Sequence, residues 1–338
     1  MHRLKGMTVA VVVAASVVAW SGNAFAQAKI VDGPEVRWKL GAWGKPRAAT
    51  QNVETLRKFL DERTGGRFKI QIGYESFGNP KELLDLLKVG SLEATNICAS
   101  YHPEKLPVYS ALDLPFLPIP DTTVQEKVHN AFHKHPLVLK EFAGWNAIPY
   151  MSALLPNNEF VGRGKAPKTV EDFKGMRVRA LAGIGEAMRK LGAVPTSVDA
   201  TEVYTSLERG VVDGIGWVTL ALTGLSLQDF LKYRIYPSYW QGDLGMTINL
   251  DKWNALSPEA RRIIEEEAIR SEAEAHAFFV EEAAKETVKL REAGMQDIVL
   301  EGDAARTYLD NAYSSRWREI AEKVGDDTAN KLKAMFLK

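Results

Sequence analysis

The sequence predicts an α/β protein of two layered halves with a cleft between them, braced by one long helix. Three observations predict this. Short runs of period two alternate with helical patterns from Val36 to Ala99, and the same alternation returns after Glu159. After Pro258, about 35 residues pass without glycine or proline, roughly 50 Å of helix at about 1.5 Å per residue.

Val36-Arg-Trp-Lys-Leu40 alternates and reads as the first strand, running into Gly41-Ala-Trp-Gly44. Val53, Leu56, Phe59 and Leu60 mark a helix stopped by Gly65-Gly66. Phe68, Ile70 and Ile72 form a second strand, and Leu83, Leu84, Leu86 and Leu87 a second helix ended by Gly90. Ala94 to Ala99 is the next strand candidate. Strands separated by helices in this way argue for largely parallel pairing.

In the second half, Thr169-Val-Glu-Asp172 fits a capping box closed by Gly175. Met176 to Ala180 is a compact strand, Gly183 and Gly185 break it, and Glu186 to Leu191 is helical. Asp199-Ala-Thr-Glu202 reads as a second capping box before a helix through Val203 and Leu207, ended by Gly210; Val211 and Val212 begin another strand that ends at Trp217. Ser257 caps the long helix with Pro258 at its first position. Its apolar positions, among them Ile263, Ile269 and Phe279, keep no strict heptad, which favours a brace across both halves over a coiled coil. Two shorter helices finish the chain, around 304–324 and 330–336.

The N-terminus carries an address. Arg3 and Lys5 precede an uncharged run from Met7 to Trp20, and Ala24-Phe25-Ala26 supplies a small-x-small cleavage pattern. Residues 1–26 are therefore expected to be a secretory signal peptide, placing the mature chain in the periplasm. The whole chain has 43 basic and 43 acidic residues; without Arg3 and Lys5 the balance is 41 to 43, net −2. Such a balance offers no footprint for nucleic acid. Cys98 is the single cysteine, so no internal disulfide can form, and its apolar and small surroundings mark it as packing. No cysteine stands at the cleavage point, so a freely diffusing protein is expected, and a monomer.

Ligands of open α/β sheets sit outside the carboxyl ends of the strands. Arg179 stands at such an end, before a glycine-containing turn and a helix N-terminus. It can grip a carboxylate with two parallel hydrogen bonds while the helix adds N–H groups. Arg177, two residues earlier, competes on the same face. Trp217 at another strand exit can cover an apolar ligand body or pack in the core; Asp213 is expected to tie its turn. Trp43, Phe77, Asn79, Tyr101, Tyr239 and Trp240 stand at further loop exits as candidate pocket residues. No nucleophile elbow and no His-Glu-x-x-His motif occurs. His129 and His133 share a helical face, but Pro136 and nearby lysines make an exposed helix end the expectation there rather than a metal site. No metal, cofactor or catalytic residue is expected.

Asp172-Phe-Lys-Gly-Met-Arg-Val-Arg179, Leu191-Gly-Ala193 and the run Glu202-Val-Tyr-Thr-Ser-Leu-Glu-Arg-Gly-Val-Val-Asp-Gly214 resemble the core of the DctP-type periplasmic solute receptors of tripartite ATP-independent (TRAP) transporters. Phe77-Gly-Asn-Pro-Lys-Glu82, Leu112-Asp-Leu-Pro-Phe-Leu117 and Thr247–Pro258 support it, and the resemblance covers nearly all of 36–330. It implies the two-lobed periplasmic solute-binding fold with a long helix spanning both lobes. Lobe I would be 27–152 completed by roughly 246–284, and lobe II 153–245 completed by roughly 285–338. It also implies a receptor, not an enzyme, that captures a small organic acid and delivers it to TRAP permease subunits. The carboxylate-pairing role falls on Arg179, leaving Arg177 at the surface.

Two departures refine this. Sialic-acid receptors of the family carry Asn where this chain has Trp217. The family's 2-keto-acid receptors have the tryptophan, but with a preceding Glu and a bound cation; here Gly216 precedes it. No arginine lies between Asn146 and Gly162, where many members have one. The expected ligand is a monocarboxylate with a hydroxy, keto or aromatic part. The alternatives are a lyase or hydrolase acting on such an acid, or a ligand-binding sensor partner.

Overall fold

The computed structural model describes residues 34–42, 44–113 and 122–336. The proposed leader and Trp43 lie outside them. The chain opens with β1 (Val36–Ala42), α1 (Gln51–Arg63), β2 (Phe68–Tyr74), α2 (Leu83–Lys88) and β3 (Ala94–Ile97). It continues with α3 (Thr122–His133), α4 (Pro136–Ala143), β4 (Ala147–Met151), β5 (Leu154–Gly162), β6 (Arg177–Arg179), α5 (Ala182–Lys190), β7 (Val194–Thr196) and α6 (Val203–Glu208). Then come β8 (Gly214–Val218), β9 (Tyr233–Asp243), β10 (Gly245–Asn249), α7 (Leu250–Ala255), α8 (Pro258–Glu292), β11 (Gln296–Val299), α9 (Gly302–Val324) and α10 (Asp326–Phe336).

Two sheets form, in the orders β2-β1-β3-β10-β4 and β11-β9-β5-β8-β6-β7. Pairing is parallel among β1, β2 and β3 and among β6, β7 and β8, as the alternation predicts. It is antiparallel where β10 lies between β3 and β4 and where β5 lies between β8 and β9. The sheets are therefore mixed. The reason is topological: the chain passes between sheets directly, strand to strand, at 151–154 and again at 243–245, with no helix to reverse its direction.

These crossings are bonded to each other. The Leu244 N–H donates to the Ala153 carbonyl at 3.0 Å, and the Ala153 N–H donates to Asp243 Oδ1 at 3.0 Å. Asp243 also accepts from Ser152 Oγ at 2.6 Å and lies 3.1 Å from His129 Nδ1 and 3.5 Å from His133 Nε2. Both histidines are buried, 0% and 3% exposed. The exposed helix end expected there is thus corrected: the α3 face carrying them turns inward onto the return crossing, a long-range contact that Pro136 and the lysines cannot signal.

The 35-residue α8 is the third link. Ser257 Oγ accepts the Ala260 N–H at 3.2 Å with Pro258 at the first position, as the cap signature predicts. Ile263, Ile264 and Ala268 pack with Trp38, Leu40 and Leu56 of the first lobe. Further along, Glu286 accepts from the Thr223 N–H and hydroxyl, each at 2.6 Å, in the second lobe. The helix spans both lobes. Among the described residues no helix is long and apolar enough to cross a membrane.

Three local expectations change. α5 begins at Ala182, so Gly183 and Gly185 lie in its first turns rather than breaking the chain; a Cβ on Gly185 would meet Pro195 only at ordinary contact, 3.6 Å. Asp199 makes no side-chain cap; its carboxylate instead pairs with Lys81 of the first lobe at 2.8 Å. The strand expected from Val211 begins at Gly214, with Val211 47% exposed.

Candidate functional site

β6 pairs on one side with β7 and on the other with β8, which sets Arg179 beside Ile215 and Thr196. Its guanidinium is buried, 5% exposed. Nε donates to the Val198 carbonyl at 2.9 Å, Nη1 to the Gly216 carbonyl at 3.2 Å and Nη2 to the Tyr101 hydroxyl at 3.4 Å. A guanidinium has five N–H groups. These three bonds leave one on each terminal nitrogen, the pair that a carboxylate engages side by side.

Around it lies a cavity of about 60 Å³, lined from the first lobe by Arg47, Ala49, Cys98 and Tyr101 and from the second by Leu155, Asn158, Arg179, Leu181, Trp217, Val218 and Trp240, with Leu244 of the return crossing. Such a volume holds only a few water molecules, which suits a compact ligand. Cys98 is buried, as its surroundings predict, and forms part of this wall.

The walls combine aromatic and aliphatic side chains with one buried guanidinium. Trp217 is 6% exposed, and the Arg179 Cζ sits 5.1 Å from its ring centre. The indole N–H groups of Trp217 and Trp240 and the Asn158 Nδ2 are buried without a protein acceptor. No Asp or Glu is among the lining residues. The cavity surface is mostly apolar, with the Arg179 guanidinium and three residues bearing an unpartnered donor among its lining, and an unmade buried bond costs about 1–3 kcal/mol. Burial pushes the Tyr101 phenol above its ordinary pKa, with Arg179 offsetting part of the rise, so the hydroxyl stays protonated at neutral pH.

Trp240 stands beside a break in the β5–β9 register. Asn158 pairs with Trp240 and Phe160 with Ile235, so two steps along β5 face five along β9. The three extra residues form an irregularity in the ladder next to Trp240, which lines the cavity. Glu159, next to Asn158, pairs in register with Trp217 but does not line the cavity. Burial raises its pKa, Arg234 offsets part of the rise, and Thr219 Oγ1 donates to it at 3.0 Å.

Of the residues chosen from sequence, the structure brings Arg179, Trp217, Tyr101 and Trp240 to this one cavity. Arg177 instead lies exposed, its Nη2 2.6 Å from Asp213 Oδ1, and Asp213 accepts the Arg177 backbone N–H at 3.1 Å. Asp213 thereby ties its turn. Phe77 is half-buried with its ring over Gly73, where a Cβ would sit 2.2 Å from it. Asn79 is exposed and accepts the Lys81 N–H at 3.0 Å, shaping the entry to α2. Neither lines the cavity. The Tyr239 side chain and Trp43 lie outside what is described.

Two contributors escaped the sequence reading. Arg47 follows the carboxyl end of β1, where the strand-exit rule applies equally, but the neighbouring aromatic Trp43 was the more visible signal. Asn158 sits mid-strand, where nothing local sets a polar residue apart. Among the described residues no three His, Cys, Asp or Glu side chains converge to hold a metal ion.

The description of the DctP family, bacterial extracellular solute-binding proteins of family 7, matches residues 42–324. The monocarboxylate 2-oxoacid-binding periplasmic protein of Nostoc sp. is 27% identical over 238 residues, 68% of this chain and 64% of that protein, so the chain spans just under two thirds of its length. Among solved structures, a Bordetella pertussis extracytoplasmic solute receptor binding pyroglutamic acid superposes with a TM-score of 0.81 at 19% identity, covering 90% of this chain and 100% of that one. A TRAP periplasmic solute-binding protein from Desulfovibrio salexigens with bound orotic acid gives 0.80 at 20% identity, covering 89% and 98%.

Proposed function

The chain belongs to the DctP family of bacterial extracellular solute-binding proteins, and from that premise we propose that it is a periplasmic receptor that captures a small organic acid and hands it to TRAP permease subunits. One observation carries this reading. Arg179 is buried in the cavity with three N–H groups engaged by the protein and the carboxylate-gripping pair left over.

The ligand is a compact monocarboxylate with a hydroxy, keto or aromatic part. Its carboxylate sits on Arg179, its body lies against Trp217 and Trp240, and Tyr101 braces the arginine. A 2-oxoacid, orotic acid and pyroglutamic acid, bound by the three proteins named above, are all carboxylates with a further carbonyl oxygen; such an oxygen would answer one of the unpartnered donors of Trp217, Trp240 and Asn158 in an otherwise mostly apolar wall. With Gly216 before Trp217, the arginine meets the anion without a carboxylate beside it to recruit a cation. Lobe I, 27–152 with about 246–284, and lobe II, 153–245 with about 285–338, close over the ligand. The protein binds and releases; it does no chemistry.

Titration calorimetry against monocarboxylates, hydroxy acids, keto acids and aromatic acids tests this. At least one acid binds with one-to-one stoichiometry and is recovered unchanged, and Arg179→Ala melts like wild type yet shows no measurable binding. Turnover of the acid, or unchanged affinity in Arg179→Ala, overturns the reading.

A further inference from the structure

The segment that follows β7 is held from both lobes. On its own lobe, the Val198 carbonyl accepts from Arg179 Nε at 2.9 Å, so this backbone helps to place the guanidinium. From the first lobe, the Tyr101 hydroxyl accepts the Ala200 N–H at 3.2 Å. Between them stands Asp199, whose carboxylate pairs with Lys81 of the first lobe, Nζ to Oδ1 at 2.8 Å. That oxygen is buried, and the Asp199 side chain as a whole is 17% exposed against 50% for Lys81. Lys81 is fixed at its backbone: its N–H donates to Asn79 Oδ1 at 3.0 Å, and its carbonyl accepts from Lys105 Nζ at 3.5 Å.

Tyr101 and Ala200 line the cavity, whereas Lys81 and Asp199 do not. The ion pair therefore stands beside the cavity, one residue from its wall, and joins the two lobes through side chains alone. It lasts only while the lobes are together. We propose that Lys81 and Asp199 form a closure latch, a pair of positioning residues that strengthens acid binding by favouring the closed arrangement of the lobes without touching the ligand. This rests on the acid-receptor reading above. A receptor whose two walls must meet around its ligand has an apparent affinity set by the fraction of molecules that can close. A pair made only in the closed form raises that fraction. Because it is made after the acid has entered, it slows release and leaves capture unchanged. Its effect is the same for every acid that binds, since no atom of the ligand meets it.

The test titrates pyruvate, pyroglutamate and orotate into wild type, Lys81→Met, Asp199→Asn, the double variant, Lys81→Arg and Arg179→Ala, with stopped-flow tryptophan fluorescence for the rates. For each acid that binds wild type, Lys81→Met and Asp199→Asn are each expected to bind about three- to five-fold more weakly, the scale of a partly exposed ion pair. The double variant loses no more than the weaker single variant, because the two residues act as one unit. Lys81→Arg keeps the charge and stays within about two-fold of wild type. The loss appears in the dissociation rate, with association within about two-fold, and it shrinks as salt screens the pair. Melting curves establish that the variants are folded. If Arg179→Ala abolishes binding but the single variants keep wild-type affinity, or their losses multiply in the double variant, or the change lies in association, the latch fails and the receptor reading stands. If wild type binds no acid, both fall.

Discussion

The Tyr101 hydroxyl on the first lobe accepts an N–H from the Arg179 guanidinium on the second at 3.4 Å, and a backbone N–H from Ala200 at 3.2 Å. One oxygen therefore holds the cavity-lining arginine and ties the lobes together there. Tyr101→Phe keeps the ring and removes that oxygen. The expected result is about ten-fold weaker acid binding, the scale of one hydrogen bond to a charged group, with little change in melting temperature. Unchanged affinity in calorimetry would make the hydroxyl a packing detail.

How much of this was legible in the sequence depends on the range of the interaction. Arg179 and Trp217 were readable because a strand exit is a local feature: a compact apolar run followed by glycine. Ser257-Pro258 was readable for the same reason, since a cap acts within one turn. Asp199 went the other way. Its spacing to Glu202 fits a capping box, yet Lys81, 118 positions earlier, takes the carboxylate at 2.8 Å. Charge pairing across the cleft outweighed a local cap, and periodicity has no access to it. His129 and His133 failed likewise: their burial is decided by Asp243, on a strand more than a hundred residues away. Asn158 is placed by the sheet register, which alternation alone leaves open.

Trp217 offers a graded test of the cavity wall. Its ring carries the Arg179 guanidinium 5.1 Å from its centre and forms part of the lining. Trp217→Ala removes both the cation–π contact and the wall, and affinity is expected to fall about 30- to 100-fold. Trp217→Phe keeps a ring, though a weaker one, and is expected to lose less than about ten-fold. Equal losses in the two variants would show that the indole N–H, not the ring face, is what the ligand needs.

Asp243 organises the return crossing. It is 1% exposed and receives the Ser152 hydroxyl, the Ala153 N–H and the two α3 histidines. Burial alone would push this carboxyl up, but His133, His129 and these hydrogen bonds outweigh it and hold the pKa well below the usual carboxylate range. Asp243→Asn leaves the imidazoles facing an amide and is expected to cost about 2–4 kcal/mol, a drop of several degrees in melting temperature. Ser152→Ala, which removes one donor, should cost about 1 kcal/mol. A denaturant series showing no difference between Asp243→Asn and wild type would remove this network from the account of the crossing.

Glu272 sets a pH dependence in a different window. It projects from α8 and accepts the Ser152 N–H at 2.7 Å. Burial raises its pKa from 4.5 to about 7, with the Ser152 bond, His133 and Lys134 pulling it down and Asp243 pushing it up. Glu141, half-buried and accepting the Val108 and Tyr109 N–H groups, is likewise raised to about 7 by desolvation. For such carboxyls the folded state binds more protons than the unfolded one between the two pKa values. Their contribution is fully present below the unfolded value near 4.5 and is lost as pH rises to about 7. Asp243 acts oppositely and lower, its stabilisation lost only as pH falls below the ordinary aspartate value of 3.8. The two effects are therefore separable. Wild type is expected to lose melting temperature between pH 5 and pH 8, and Glu272→Gln, which keeps an oxygen for the Ser152 N–H but cannot ionise, to lose less. Melting curves that run parallel for the two proteins across that range would show that Glu272 ionises in the folded protein as freely as in the unfolded chain.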